Sequence, residues 1–292
     1  MPRKRSTDDG DELLVRLGML TAQARERAEL QRAQVELAIA LQRGMLPPDL
    51  PAAPGLHLAV RYAPACHGLN VGGDWYDAFT LPDGRIGMSI GDVQGHNIEA
   101  AAFMGQVRTA LRALASVSTE PGEILARTNE LLLSLGIELF ATCTFMRLEP
   151  ATGVLESARA GHIPFVWATA DGKSGVAEDE GGPPLGIQHG AAYPVTRHRL
   201  TTGGVFVLLT DGVVEGPSLA VEDGLDQVVR LAGIAAVSGL EPYALAAAVI
   251  KGAESVGHED DAAVLVAGLD GPGAHWRDAV AGGSRRRPGV QP

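Results

Sequence analysis

The 292-residue sequence predicts an α+β protein of antiparallel sheets covered by helices, and three observations lead there. Strand-like runs come first, helical stretches follow, and strand-like runs return, an order that suits α+β packing better than alternating βαβ units. Neighbouring strand-like runs are joined by short turns; Pro82-Asp83-Gly84 stands between residues 71–79 and 85–90, which read as a hairpin. Before all of them lies a long segment, about 11–43, with no Pro, a single Gly and mostly Ala, Leu, Arg, Glu and Gln, which predicts one long N-terminal helix.

Taken in order, residues 1–10 are polar, with Arg3, Lys4 and Arg5 in a solvated tail. In the helix that follows, Leu13, Leu17, Leu20 and Ala24 fall at a/d spacing, and Leu30, Leu37 and Leu41 resume it after a slip, a broken heptad pattern. Two readings stay open for it: packing on its own domain, or dimerisation and signal input. Gly44 and Pro47, Pro48, Pro51 and Pro54 end the helix. Residues 57–63 alternate like a strand. Helices are expected over 97–116, with Asn97 as N-cap, and over 121–135, with Pro121 in the first position and Glu123 in the first turn. Residues 141–148, 154–160 and 163–168 read as a three-stranded meander, and 172–182 as a mobile acidic loop. Residues 205–209 form a continuous apolar run suited to a central strand buried on both faces. Two helical stretches occupy 219–256, and 262–267 is the last strand; beyond it the composition shifts to Gly, Pro and Arg and predicts a disordered tail.

With 46% apolar residues the chain has ample material for a core, and its apolar runs are too short to span a membrane. The start is basic and turns acidic, unlike a secretory leader, which predicts a cytoplasmic protein. A formal net charge of −11 argues against nucleic acid as a partner. Cys66 and Cys143 are far apart in apolar settings and are expected as free buried thiols.

The chemistry concentrates in four acidic corners. Asp92 in GDVQGHNIE follows an apolar alternation and enters a Gly-containing turn before a helix; VGGDWYD holds Asp74 and Asp77; VFVLLTDGVVE runs a strand into Asp211; and EDDAAVLV places Asp260 and Asp261 before a strand. Gathered at one end of a fold, these carboxylates would form an oxygen-rich cage needing cations, and hard divalent ions such as Mg²⁺ and Mn²⁺ take such ligands. No Cys or His cluster has zinc spacing.

GGDWYD, GDVQGH, TDGVVE and DDAAVLV, in this order and separation, resemble the motifs of the bacterial metal-dependent PPM (PP2C-like) protein phosphatases of the SpoIIE and RsbU type. The resemblance covers roughly residues 46–268 and includes LPPDLP, ARAGHIPFVW and GGPPLGI. It implies a four-layer α-β-β-α sandwich, with residues 1–45 as a regulatory or dimerising helical segment, 46–268 as the phosphatase domain and 269–292 as the tail. It implies two divalent cations, Mn or Mg. Asp74 would bind one, Asp92 would bridge both beside the Val93 carbonyl, and Asp211 and Asp260 would complete the set, with Asp261 as the fallback for Asp260. Catalysis would then rest on Asp92, Asp74 and Asp211. Asp77 would cap its turn or orient a metal-bound water. His96 would pack the turn or donate a proton to the leaving serine oxygen, and His162 is read as structural or, less simply, as a catalytic acid.

Two departures bear on the site: Asn97 stands where many relatives have Gly, and Ala263 where they have Thr, which removes a hydroxyl beside the cage. No Arg is evident for clamping a substrate phosphate. The implied activity is hydrolysis of phosphoserine or phosphothreonine on a STAS-type anti-anti-sigma protein, with an upstream activator acting on the N-terminal helix and a homodimer as one state. The competing classes are a catalytically silent interaction protein of the same fold, which would have no need of intact acids, and a phosphohydrolase of a small metabolite, which only substrate profiling would separate from the first.

Overall fold

In a computed structural model, residues 8–64, 72–95, 97–257 and 260–271 are described. Cys66, His96, Glu259 and the tail from 272 lie outside them. The chain runs α1 (Asp8–Met45), β1 (Leu56–Ala63), β2 (Trp75–Thr80), β3 (Ile86–Val93), α2 (Ile98–Leu114), α3 (Pro121–Ser134), β4 (Ala141–Glu149), β5 (Val154–Ala160), β6 (Val166–Thr169), β7 (Ser174–Val176), β8 (Thr196–Arg199), β9 (Gly204–Leu209), a 3₁₀ turn (Asp211–Val213), α4 (Val221–Ser238), α5 (Pro242–Val256) and β10 (Ala262–Leu269).

The strands form two five-stranded antiparallel sheets, one in the order β1-β10-β9-β6-β7 and the other β2-β3-β4-β5-β8. Period-2 alternation sorts their side chains into layers. In β9 and β10, Val205, Val207, Leu209, Val264 and Val266 face α4 and α5, whereas Phe206, Leu208, Leu265 and Ala267 face the other sheet. In β3 and β4, Met88, Ile90, Met146 and Leu148 face inward, while Val93, Cys143 and Phe145 pack under α2 and α3. The result is the expected α-β-β-α sandwich with a long helix before it.

Local chemistry sets the element ends. The Asn97 side chain accepts from the Ala100 N–H (2.8 Å) and starts α2. Glu120 caps α3, whose first residue is Pro121. Gly239 and Gly257, both left-handed, close α4 and α5. The expected hairpin is present, with Tyr76 opposite Ile90 and Gly84 at φ 84° in its turn.

Two expectations need correction. The run after β5 is no meander strand: Gly161 (φ 63°) and Pro164 redirect the chain, and β6 crosses to the other sheet to pair with β9. The acidic segment 172–182 is partly structured, because β7 pairs with β6, and Arg159 Nε and Nη2 donate to the Asp179 carboxylate and carbonyl, both at 2.8 Å. The short strand β8, opposite β5, has no clear sequence pattern.

α1 is one unbroken helix of 38 residues and packs on α2, where Met45 lies over Gly105. Leu14, Leu17, Leu20 and Leu30 are exposed. Among the described residues, no helix is long and apolar enough to cross a membrane.

Candidate functional site

The four acidic corners meet at one end of the sandwich, two from each sheet. Asp74 immediately precedes β2 and Asp92 is the penultimate residue of β3; Asp211 follows β9 through Thr210, and Asp260 lies just before β10. Asp74 feels the charges of Asp92, Asp211 and Asp260.

Tight backbone approaches make this possible. A Cβ on Gly73 would stand 2.5 Å from the Val93 carbonyl oxygen and 2.8 Å from Asp92 Oδ1, so only glycine allows the strand before β2 to lie against the end of β3. A Cβ on Gly212 would meet the Asp261 carbonyl oxygen at 2.1 Å, which explains the glycine after Asp211. The Gly212 N–H donates to Asp211 Oδ1 (2.9 Å) and orients that carboxylate.

Asp74 is 1% exposed, and its Oδ2 is buried with no hydrogen-bond partner. Burial, then the Asp92 charge, raises its pKa well above the carboxylate range, while the Thr210 hydroxyl acts the other way. Asp92 is pushed up to about 7 by burial and by Asp211 and Asp260. Asp211 is raised by burial and by Asp260. These are carboxylates held together against their own repulsion. The donor set is all hard oxygen, including a buried oxygen that lacks a partner, and it suits divalent cations of the Mg²⁺ or Mn²⁺ kind. Among the described residues, no three His, Cys, Asp or Glu side chains are drawn close enough to hold one ion.

The neighbouring acids divide sharply. Asp260 is exposed and faces Asp211 across a hollow also lined by Glu215 and Pro217. Asp261 is 1% exposed and accepts from the Tyr62 hydroxyl instead. Asp77 neither caps its turn nor reaches the site: Arg108 Nη1 (2.8 Å) and Arg112 Nη1 (3.5 Å), both on α2, contact its carboxylate. Its position, three residues from Asp74, puts it on the opposite face of β2.

One group escaped sequence reasoning. The Thr210 hydroxyl accepts from the Ala263 N–H (2.9 Å), so it joins the TDG and DDAAVLV segments while acting on Asp74. The threonine before Asp-Gly was its only signal. His162 is 4% exposed; its Nε2 donates to the Leu209 carbonyl (3.1 Å), leaving Nδ1 to accept from the Thr142 hydroxyl (2.8 Å). Burial lowers its pKa to about 4, so it is neutral near neutral pH and holds no proton for general-acid work. Cys143 is buried under α2 and α3, and burial holds its thiol well above the usual range.

An α-β-β-α sandwich with acids from both sheets at one end defines the PP2C-like class of phosphatase folds. Residues 82–270 match the family described as Stage II sporulation protein E (SpoIIE). The chain belongs to this family. Among solved structures, the RsbU and RsbW domains of Rv1364c from Mycobacterium tuberculosis superpose with a TM-score of 0.70 at 32% identity, covering 78% of this chain and 64% of that one. The SiaA-PP2C domain of Pseudomonas aeruginosa shares the fold, with a TM-score of 0.67 at 20% identity over 85% of this chain and 99% of that one. Among curated proteins, the phosphoserine phosphatase RsbU of Bacillus subtilis is 25% identical over 63% of this chain and 54% of its own length. Protein IcfG of Synechocystis is 26% identical over 65% of this chain and 34% of its own. The chain thus spans about a third to a half of the length of these curated relatives.

Proposed function

We propose that this chain is a metal-dependent phosphoprotein phosphatase that hydrolyses phosphoserine or phosphothreonine on a STAS-type anti-anti-sigma protein in partner-switching signalling. The observation that carries the reading is the convergence of Asp74, Asp92, Asp211 and Asp260 from two sheets, with Asp74 Oδ2 buried and unpartnered. The RsbU-like relationship supports the substrate class, and the RsbW domain of the mycobacterial protein supports a partner-switching setting. The proposed setting is cytoplasmic.

Asp74, Asp92, the Val93 carbonyl, Asp211 and Asp260 would hold two divalent cations, Mn²⁺ or Mg²⁺; RsbX, a fold neighbour at 14% identity and TM-score 0.57, was crystallised with magnesium. Such cations, when bound, activate water near neutral pH and offset charge on a phosphoryl group. The chain's own residues set the frame. Gly73 leaves room for the Val93 carbonyl, the Gly212 N–H orients Asp211, and the Thr210 hydroxyl favours the charged form of Asp74. Buried Cys143 and neutral His162 take no covalent or proton-transfer role.

Residues 1–45 would form a regulatory and dimerising segment, a reading supported by the exposed leucines of α1, with residues 46–268 as the phosphatase domain and 269–292 as a tail. The test is phosphate release from a phosphoserine STAS protein and from para-nitrophenyl phosphate, with EDTA, Mg²⁺ or Mn²⁺. Metal-dependent release from the protein substrate is expected. Release from neither substrate, with or without residues 1–45, would overturn the reading; release from the small ester alone would redirect it to a small-molecule phosphohydrolase.

A further inference from the structure

We infer that His162 is a positioning residue that locks the two halves of the acidic site together across the sandwich. The inference rests on the metal-binding reading of that site. Asp74 and Asp92 belong to one sheet, Asp211 and Asp260 to the other, and a cation shared between them requires the sheets to keep their relative position at this end. His162 sits on the connection where the chain passes from β5 in the first sheet to β6 in the second.

Its two ring nitrogens reach one strand of each sheet. Nδ1 accepts from the hydroxyl of Thr142, which lies directly opposite Asp92 in the β3–β4 pairing. Nε2 donates to the carbonyl of Leu209, the last residue of β9, two positions before Asp211. A backbone carbonyl can only accept, so Nε2 is a donor, and in the neutral ring Nδ1 carries the lone pair. The imidazole therefore spans from the register partner of one acid to the strand end that carries another.

The residue is itself held. Gly161, at φ 63°, turns the chain out of β5 and bridges to Cys143 beside Thr142. A Cβ there would meet Pro184 Cγ at 2.6 Å. Arg159 Nη1 donates to the His162 carbonyl (2.7 Å) while its Nε pairs with Asp179 (2.8 Å). Ring and backbone are both fixed, which is what an orienting group requires.

The test uses the full chain and reads Mn²⁺ binding by calorimetry, alongside the melting temperature in EDTA. His162→Phe keeps a ring and loses both hydrogen bonds; Thr142→Val loses only the bond to Nδ1; His162→Gln retains an amide donor for Leu209. His162→Phe is expected to weaken Mn²⁺ binding by about 10-fold or more, within the ~10–100-fold typical of groups that orient metal ligands. Thr142→Val should weaken it several-fold with its melting temperature in EDTA unchanged, and His162→Gln should recover part of the affinity. If His162→Phe does not fold, Thr142→Val decides. Wild-type Mn²⁺ affinity in Thr142→Val, or in a folded His162→Phe, would overturn the inference even where the melting temperature falls. If wild type and Asp92→Ala alike bind no Mn²⁺, the metal-binding reading itself fails, and the inference with it.

Discussion

Asp74 and Asp77 stand three residues apart yet point to opposite faces of β2, one into the acidic site between the sheets and the other against the arginines of α2. Asp77 is 1% exposed and the Arg108 side chain 16%, so the pair is largely removed from water, whereas Arg112 is half exposed and adds less. Asp77→Ala leaves Arg108 without its partner and should destabilise the fold by roughly 3 kcal/mol. Urea titration checks this, and Asp77→Ala should retain Mn²⁺ affinity within a few-fold if its role is to seat α2.

Removing a carboxylate from the cage should separate function from stability. Asp92→Asn is expected to lose Mn²⁺ binding and phosphatase turnover and to melt higher than wild type in EDTA, because it takes one charge out of a repelling cluster. A lower melting point in EDTA would contradict the electrostatic account.

The same repulsion predicts a pH dependence. The folded-state pKa of Asp92, about 7, lies above that of an unfolded aspartate, about 3.9. The folded metal-free protein therefore holds a proton that the unfolded chain has lost, and its relative stability falls as pH rises from about 4 through 7. The loss is roughly 2–4 kcal/mol for this group. Thermal melts in EDTA should be lower at pH 8 than at pH 5.5, Mn²⁺ should restore stability at pH 8, and its effect should shrink below pH 7 as protons compete for the same oxygens.

Gly73→Ala tests the close approach of the strand ends. The new methyl would meet backbone at the Val93 carbonyl, not a flexible side chain, so the strand before β2 or the end of β3 has to shift. Mn²⁺ binding should fall by more than 10-fold, the scale on which displaced ligands act. Gly84→Ala, where a Cβ meets nothing within 4 Å, should leave Mn²⁺ binding unchanged despite some strain at φ 84°.

Much of this was legible in the sequence because it depends on local chemistry. The acids follow or precede apolar strands, Asn97 caps α2, and Pro82-Asp83-Gly84 turns the hairpin. The opposite destinations of Asp74 and Asp77 are implicit in a spacing of three on a strand, although two neighbouring glycines point equally to a turn. The crossing of β6 was hidden because an apolar strand reads the same in either sheet. His162 was readable only as a buried histidine, since one of its partners is the Leu209 carbonyl, and a backbone group has no letter in the sequence. Ala263 brings no hydroxyl to the cage; the Thr210 hydroxyl, which accepts from the Ala263 N–H, acts on Asp74.

The division of the acids between two sheets also sets an order of assembly. Asp74 and Asp92 come together through a hairpin, a short loop that closes early, whereas Asp92 and Asp211 are more than a hundred residues apart and meet only after the chain has crossed between sheets. A half-built protein therefore offers two carboxylates and no complete cage. On the proposed metal-binding reading, cation capture would be a late event in folding, and a nascent chain would have little means of sequestering metal before its sandwich has closed.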